Sequence, residues 1–279
     1  MSKTSVAVFG AGGKMGFRCV EKLVSDANFE VLPVEVSKRG MARLGDLGLT
    51  VTPAAEAAQT ADVVLLAVPD NLIGVIAMDV VPKLKPGAIV ICLDPAAAFA
   101  GDLPARADIT YFITHPCHPP LFNDEVGEAR RDFFGGVAKQ HIVCALMQGP
   151  EADYARGDAI ARIIYEPVMN SYRVTVEQMA ILEPALSETV VITLLVAIRE
   201  AIDEAVKAGV PEDAAREFAL GHMYVAAGIL FGNSGGVFSD GALLAMERGK
   251  QMLFQPNWKD AFKFENVMRE VKAITEAGK

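Results

Sequence analysis

Residues 6–16 read Val6-Ala-Val-Phe-Gly10-Ala-Gly12-Gly13-Lys14-Met15-Gly16, and this stretch decides the fold. The apolar run Val6 to Phe9 predicts a strand that stops at Gly10. Lys14 to Val24 reads as a helix, so the glycines occupy a tight strand-to-helix turn. A turn without Cβ atoms can bend sharply and bring its N–H groups close to a pyrophosphate. The helix start then offers unpaired N–H groups and the positive end of its dipole to the anion. Tight turns without ligands also use glycine, but the position between a first strand and a helix favours dinucleotide binding. Gly10, Gly12, Gly13, Lys14 and Met15 are the expected backbone contacts.

The chain has 279 residues, which suits two domains. Hydrophobic residues make up 52% and charged residues 22%, the balance of a globular chain. With 26 basic and 35 acidic residues the net charge is −9, which disfavours nucleic acid and anionic membrane as partners. No signal-peptide pattern is visible at the N-terminus. The apolar stretch Val190 to Ile198 is too short to span a bilayer. Cys19, Cys92, Cys117 and Cys144 form no CxxC pair or disulfide framework, which points to reduced thiols in a cytoplasmic protein.

Outward from the glycine turn, an α/β pattern continues to about residue 177. Phe29 to Val34 predicts a second strand ending at Glu35. A carboxylate there can accept hydrogen bonds from the adenosine ribose and repel a 2′-phosphate, favouring NAD over NADP, although Lys38 and Arg39 nearby could hold such a phosphate. Leu49 to Thr52 reads as a short strand. Asp62 to Val68 reads as a buried parallel strand ending at Pro69-Asp70-Asn71. Asp70 can cap the helix Asn71 to Leu84, border the cofactor, or do both. Strands are also predicted at Ala88 to Leu93, Ile109 to Thr114, Ile142 to Met147 and, at an edge, Tyr172 to Val176, with a helix over Glu151 to Tyr165. The expected domains are a doubly wound parallel Rossmann sheet over 1–177 and an all-helical domain over 178–279.

The densest chemistry follows the strand at 109–114, in Thr114-His115-Pro-Cys117-His118-Pro-Pro-Leu-Phe-Asn-Asp-Glu125. Two of the chain's four histidines lie here, in what reads as a proline-stiffened loop at the carboxyl edge of the sheet. Imidazole suits proton transfer near neutral pH and is a common metal ligand. His115 is the favoured functional residue; for His118 a structural role is equally supported. Glu177 to Ala208 predicts one long helix, apolar on nearly every face and therefore buried. It carries Glu183 and Glu188, with Pro184 as a kink point. Helices at Pro211 to Phe231 and Asp240 to Leu253 follow, the first carrying His222. The apolar surface of these helices points to a homodimer.

A nicotinamide domain followed by helices resembles the β-hydroxyacid dehydrogenase superfamily, including phosphogluconate dehydrogenase. The lysine that serves that superfamily as general acid/base has no counterpart here, because Glu183 or Pro184 stands in its place. A carboxylate there and a histidine on the facing loop read as a metal pair, with zinc one candidate among divalent ions. The combination of His115-Pro-Cys-His-Pro-Pro with Leu182-Glu-Pro-Ala-Leu-Ser-Glu188 is far more specific, and over the full chain it resembles the D-apionate oxidoisomerases. That resemblance implies NAD-dependent oxidation of a branched sugar acid, D-apionate, to 3-oxo-isoapionate with a coupled rearrangement. His115 and Glu183 would hold the metal and substrate, with His118, Glu188 and His222 in reserve. Ketol-acid reductoisomerase couples the same two kinds of step using metal ions. A hydroxy-acid or semialdehyde dehydrogenase without rearrangement and a non-catalytic NAD sensor are the alternatives. The glycine turn also resembles that of dihydrodipicolinate reductase, but the helical second half does not.

Overall fold

The computed structural model describes residues 3–277. The chain forms two compact units, Met1–Ile181 with Met268–Lys279, and Leu182–Val267. This differs from a single division at 177. The helix after the last strand is still anchored in the first unit through buried Met179 and Ala180, and the last helix returns to that unit, where Asn71 Nδ2 donates to the Ala277 carbonyl at 2.6 Å.

In the first unit seven strands form one sheet in the order β2-β1-β3-β4-β5-β6-β7. The strands are β1 (Thr4–Phe9), β2 (Phe29–Val34), β3 (Val63–Leu66), β4 (Ile89–Cys92), β5 (Thr110–His118), β6 (Gln140–Gln148) and β7 (Val168–Arg173). β1 to β5 are mutually parallel, β6 is antiparallel to β5, and β7 is parallel to β6. β3 and β4 are buried at every residue because helices cover both faces, which is why they read as unbroken apolar runs. Alternate residues separate to the two faces. Ala7, Phe9, Val64 and Leu66 pack with Ala57 of α3 (Ala54–Thr60) and Ile73 and Ala77 of α4 (Asp70–Val80). Val6, Val8, Val63 and Leu65 pack with Val20 and Leu23 of α1 (Lys14–Val24) and Ile160 and Ile164 of α6 (Ala152–Ile164). α1, between β1 and β2, and α3, between β2 and β3, thus lie on opposite faces, and the order reverses between β1 and β3. The crevice at their carboxyl ends is the place where such sheets bind ligands.

Several elements differ from the sequence reading. α2 (Lys38–Asp46) and α5 (Ala96–Ala100) are additional helices. Residues 49–52 form no strand; Thr52 makes one backbone bond to Pro33 at 2.7 Å before Pro53 opens α3. β7 lies several residues before the expected 172–176. His115 to His118 belong to β5 rather than to a loop. Pro116 is tolerated there because β4 ends opposite Ile113, so β5 beyond that point pairs only with β6, with an irregular register between Pro116 and His118.

The expected single helix over 177–208 is divided into α7 (Val176–Ala180), a wider π-helical stretch (Ile181–Ile192) and α8 (Thr193–Lys207). Pro184 has no N–H for the regular ladder, and a π-type adjustment accommodates it. This whole helix, Val176–Lys207, is long and apolar enough by length and composition to cross a bilayer, which corrects the shorter estimate from Val190 to Ile198. The expectation that it is buried is also corrected. α8 carries no buried residue in the single chain, since in its own unit its helical neighbour is α9 (Glu212–Leu230). α10 (Asp240–Leu253) and α11 (Phe264–Glu276) complete the helices.

Gly157 of α6 sits over the buried Phe112 ring, and a Cβ there would lie 2.5 Å from a ring carbon. We expect Gly157→Ala to destabilise the protein by about 1–3 kcal/mol through overpacking. Urea unfolding checks this as a lower midpoint with an unchanged slope; an unchanged midpoint would mean that α6 lifts from Phe112 at little cost.

Candidate functional site

The glycine turn is shaped by close approaches rather than by flexibility. Gly10 has φ 77°, and a Cβ on it would lie 2.4 Å from the Ala67 carbonyl oxygen at the end of β3. A Cβ on Gly12 would lie 2.2 Å from Gly40 Cα, so the turn and the start of α2 touch backbone to backbone. Gly13 precedes α1 in an extended conformation, and the first turn of α1 holds no acidic residue that would oppose an anion.

Glu35 spans this contact. Its Oε2 accepts the Gly12 N–H at 2.8 Å, and its Oε1 accepts the N–H groups of Val36 at 2.9 Å and Ser37 at 2.8 Å. Partial burial pushes its carboxyl up, but the bonds from Ser37, Gly12 and Val36 outweigh this and hold it below its ordinary value of 4.5. A cleft of about 840 Å³ opens here, lined by Gly10, Gly12, Gly13, Lys14 and Glu35, with Arg39 and Arg43 on its α2 side. Its other wall is Ala67, Val68 and Pro69, which places it at the β1/β3 switch point. Met15 packs against the apolar layer under α1, and Asp70 lines a separate hollow with Asn71, Gly74 and Asp102.

A second cluster lies at the carboxyl ends of β4 and β5. Ligand atoms of Asp94 and His115 come within 4.8 Å of one another. Asp94, which the sequence reading missed, is the second residue after β4, and its Oδ1 accepts the Ala96 N–H at 2.6 Å. An acidic residue just past a parallel strand was a readable signal, the same one that drew notice to Asp70. The His115 Nδ1 lies 2.9 Å from the Pro116 carbonyl oxygen, which can only accept; Nδ1 therefore carries the proton, and in the neutral ring Nε2 has the lone pair. His118 stands edge-on to His115, with ring centroids 6.2 Å apart. Burial pushes the Cys19 and Cys92 thiols up to about 12, as suits inert core groups. Cys117 is exposed, and all four cysteines are free.

In the second unit Glu183 is half-buried in the π-helical stretch and Glu188 is exposed. His222 stacks on Phe218 one turn before it, with centroids 4.0 Å apart, and its Nδ1 bonds the Phe218 carbonyl at 2.8 Å. Its ring is thus engaged with its own helix.

A relative from Rhizobium rhizogenes named D-apionate oxidoisomerase is 55% identical over 98% of this chain and all of its own length. The chain belongs to the D-apionate oxidoisomerase family. It is therefore an enzyme, an oxidoreductase built on a dinucleotide-binding fold. Another family member, from Cupriavidus necator, is 51% identical over 98% of this chain and its full length. A crystal structure from the same organism, described as a semialdehyde dehydrogenase NAD-binding protein in complex with calcium and NAD, superposes with a TM-score of 0.95. It is 50% identical, covering 98% of this chain and all of that one. Residues 123–275 match the phosphogluconate dehydrogenase (decarboxylating) C-terminal family, and residues 1–119 match the NADPH-binding domain of acetohydroxy acid isomeroreductase.

Because the Glu35 carboxyl is held below 4.5 in the folded chain, its charged form contributes stability that is complete above pH 4.5 and lost as pH falls through the folded value. We expect Glu35→Gln to cost on the order of 1 kcal/mol at pH 7, with the gap to wild type constant down to about pH 5 and closing below 4.5. Urea unfolding at a series of pH values measures that gap; a gap independent of pH would remove the charge from the account.

Proposed function

We propose that this enzyme oxidises D-apionate with NAD and rearranges the first product to 3-oxo-isoapionate, with Asp94, His115 and Glu183 holding a divalent cation. The observation that carries the reading is the full-length match to D-apionate oxidoisomerases, joined to an imidazole and a carboxylate at the carboxyl edge of the dinucleotide-binding sheet. NAD-dependent oxidation of a CH–OH group agrees with the cleft at the switch point and with the NAD complex of the C. necator protein.

The donor set suits a hard or borderline divalent ion, one imidazole nitrogen with carboxylate oxygens. Both first-unit donors are held from behind, His115 by the Pro116 carbonyl and Asp94 by the Ala96 N–H, as metal ligands commonly are. Glu183 is added as the third donor because α7 packs on α5 and β6, and Met179 lies in the same apolar layer as Cys92 and Ile113. The helix therefore packs in the first unit beside the strand residues that lead to Asp94 and His115, and its last residue in that unit, Ile181, is two residues before Glu183. A bound cation would polarise the vicinal oxygens of a hydroxy acid.

The reaction balances with one equivalent of NAD. The alcohol carbon gives a hydride to the nicotinamide and its hydroxyl proton is released, leaving a ketone beside a tertiary alcohol. A carbon substituent then migrates to the ketone carbon while the tertiary C–OH becomes the new carbonyl. The second step is an isomerisation and needs no further oxidant. A plain dehydrogenase would stop at the first ketone. We further propose that the exposed apolar side chains of α8 and α9, among them Leu195, Val196, Phe218 and Tyr224, are covered in a homodimer.

With D-apionate, NAD and a divalent salt, we expect NADH formation and, by carbon NMR, a rearranged 3-oxo acid. His115→Ala and Asp94→Asn should each lower kcat/KM on the order of 100-fold while leaving NADH affinity within about twofold. Chelator treatment should abolish turnover and the metal restore it. NADH with an unrearranged product would establish a plain dehydrogenase, and no NADH from wild type would overturn the substrate assignment.

A further inference from the structure

Residues 119–139, between β5 and β6, run back over the start of α1 and carry an aromatic ring to the mouth of the dinucleotide cleft. Lys14 Nζ lies 3.3 Å from the centroid of the Phe134 ring. The Phe134 carbonyl accepts a hydrogen bond from Arg18 Nη1 at 2.9 Å and lies 3.2 Å from His118 Nδ1, whose ring stands edge-on to the Phe134 ring at 5.9 Å. His118 is the one non-glycine residue with positive φ among the described residues, at 61°, so its backbone is held where most side chains are strained. Phe134 thus touches both Lys14, which lines the cleft, and His118, which neighbours His115.

The ring is not there to fill a core, because Phe134 is 54% exposed. The backbone around it is nevertheless fixed. Asp132 accepts hydrogen bonds from the N–H groups of Phe134, Gly135, Val137 and Ala138. Gly135 and Gly136 have φ of 81° and 117°, and a Cβ on Gly136 would meet the Arg18 guanidinium at 3.2 Å. Lys22 Nζ reaches the Gly136 carbonyl at 3.4 Å. Three successive turns of α1 therefore hold this loop through basic side chains, and the loop returns one aromatic face to the first of them. An ammonium over an aromatic face is attracted to it yet remains accessible from its other side.

We infer that Phe134 is a positioning residue for the cofactor: its ring holds the Lys14 ammonium at the mouth of the cleft, ready for the anionic part of the dinucleotide. The inference rests on the NAD reading, so wild-type binding is measured first. NADH binding is followed by its fluorescence for wild type, Phe134→Leu, Phe134→Tyr, Lys14→Met and the Lys14→Met/Phe134→Leu double variant. Phe134→Leu is expected to weaken NADH binding about 3- to 10-fold, the range of a cation–π contact, while Phe134→Tyr stays within about twofold of wild type. Lys14→Met should lose at least as much, and adding Phe134→Leu to it should change binding by less than about twofold, since the ring then has no ammonium to hold. Equal factors in both backgrounds, or wild-type affinity in Phe134→Leu, overturn the inference. Lys14→Met leaves the backbone bonds of the loop in place, so wild-type affinity in that variant overturns it even if Phe134→Leu is poorly folded. Absence of NADH binding by wild type would instead overturn the cofactor reading.

Discussion

One carboxylate organises the dinucleotide end of the sheet. Glu35 takes the N–H of Gly12 on one oxygen and those of Val36 and Ser37 on the other, tying the turn after β1 to the chain leaving β2. The contact is tight in three directions. Gly12 rests on Gly40, a Cβ on Gly40 would strike the Glu35 side chain at 2.5 Å, and Gly10 rests on Ala67 of the next strand. Three glycines and one acid thereby set how closely β2, β1 and β3 end beside each other, and the cleft is the space this arrangement leaves. A charged acceptor suits the task because amide bonds to a carboxylate are stronger than those to a neutral oxygen.

The second centre of chemistry depends on a mismatch in strand length. β4 ends at Cys92 opposite Ile113, while β5 continues to His118 with only β6 beside it. The released edge accommodates Pro116, which could not donate to a ladder, and its carbonyl sets the tautomer of His115. The early end of β4 lets the chain turn through Asp94 and Pro95 into a short helix whose first free amide orients the Asp94 carboxylate. The imidazole and the carboxylate meet because one strand runs on where its neighbour stops.

Most of the sheet was legible because a parallel strand covered on both faces must be apolar at every residue, as in Val63 to Leu66 and Ile89 to Cys92. The glycine turn was legible for the opposite reason, since its backbone contacts exclude every side chain. The reading of His115 as a loop residue failed because proline normally marks the end of a strand, and nothing local announces that β5 has lost one partner. Asp94 was passed over because it sits beside a proline just before a short helix, where an acid reads as a local turn residue, and its carboxylate does accept the Ala96 N–H there. α2 was missed because its stretch is polar, with only Gly40 and Leu44 buried. The exposure of α8 could not be read from a pattern that is apolar on nearly every face, since composition says that such a surface must be covered but not by what.

The return of the last helix to the first unit bears on how this fold can be divided. The helical unit is an insertion: the sheet-bearing unit is encoded in two separated pieces, Met1–Ile181 and Met268–Lys279. A gene shortened after codon 181 would encode every strand and every glycine of the turn, yet would lose the segment that carries buried Val271 and Thr275 and the carbonyl that Asn71 holds. The division that follows the fold removes the middle, residues 182–267, and leaves the dinucleotide-binding unit with its own C-terminal segment.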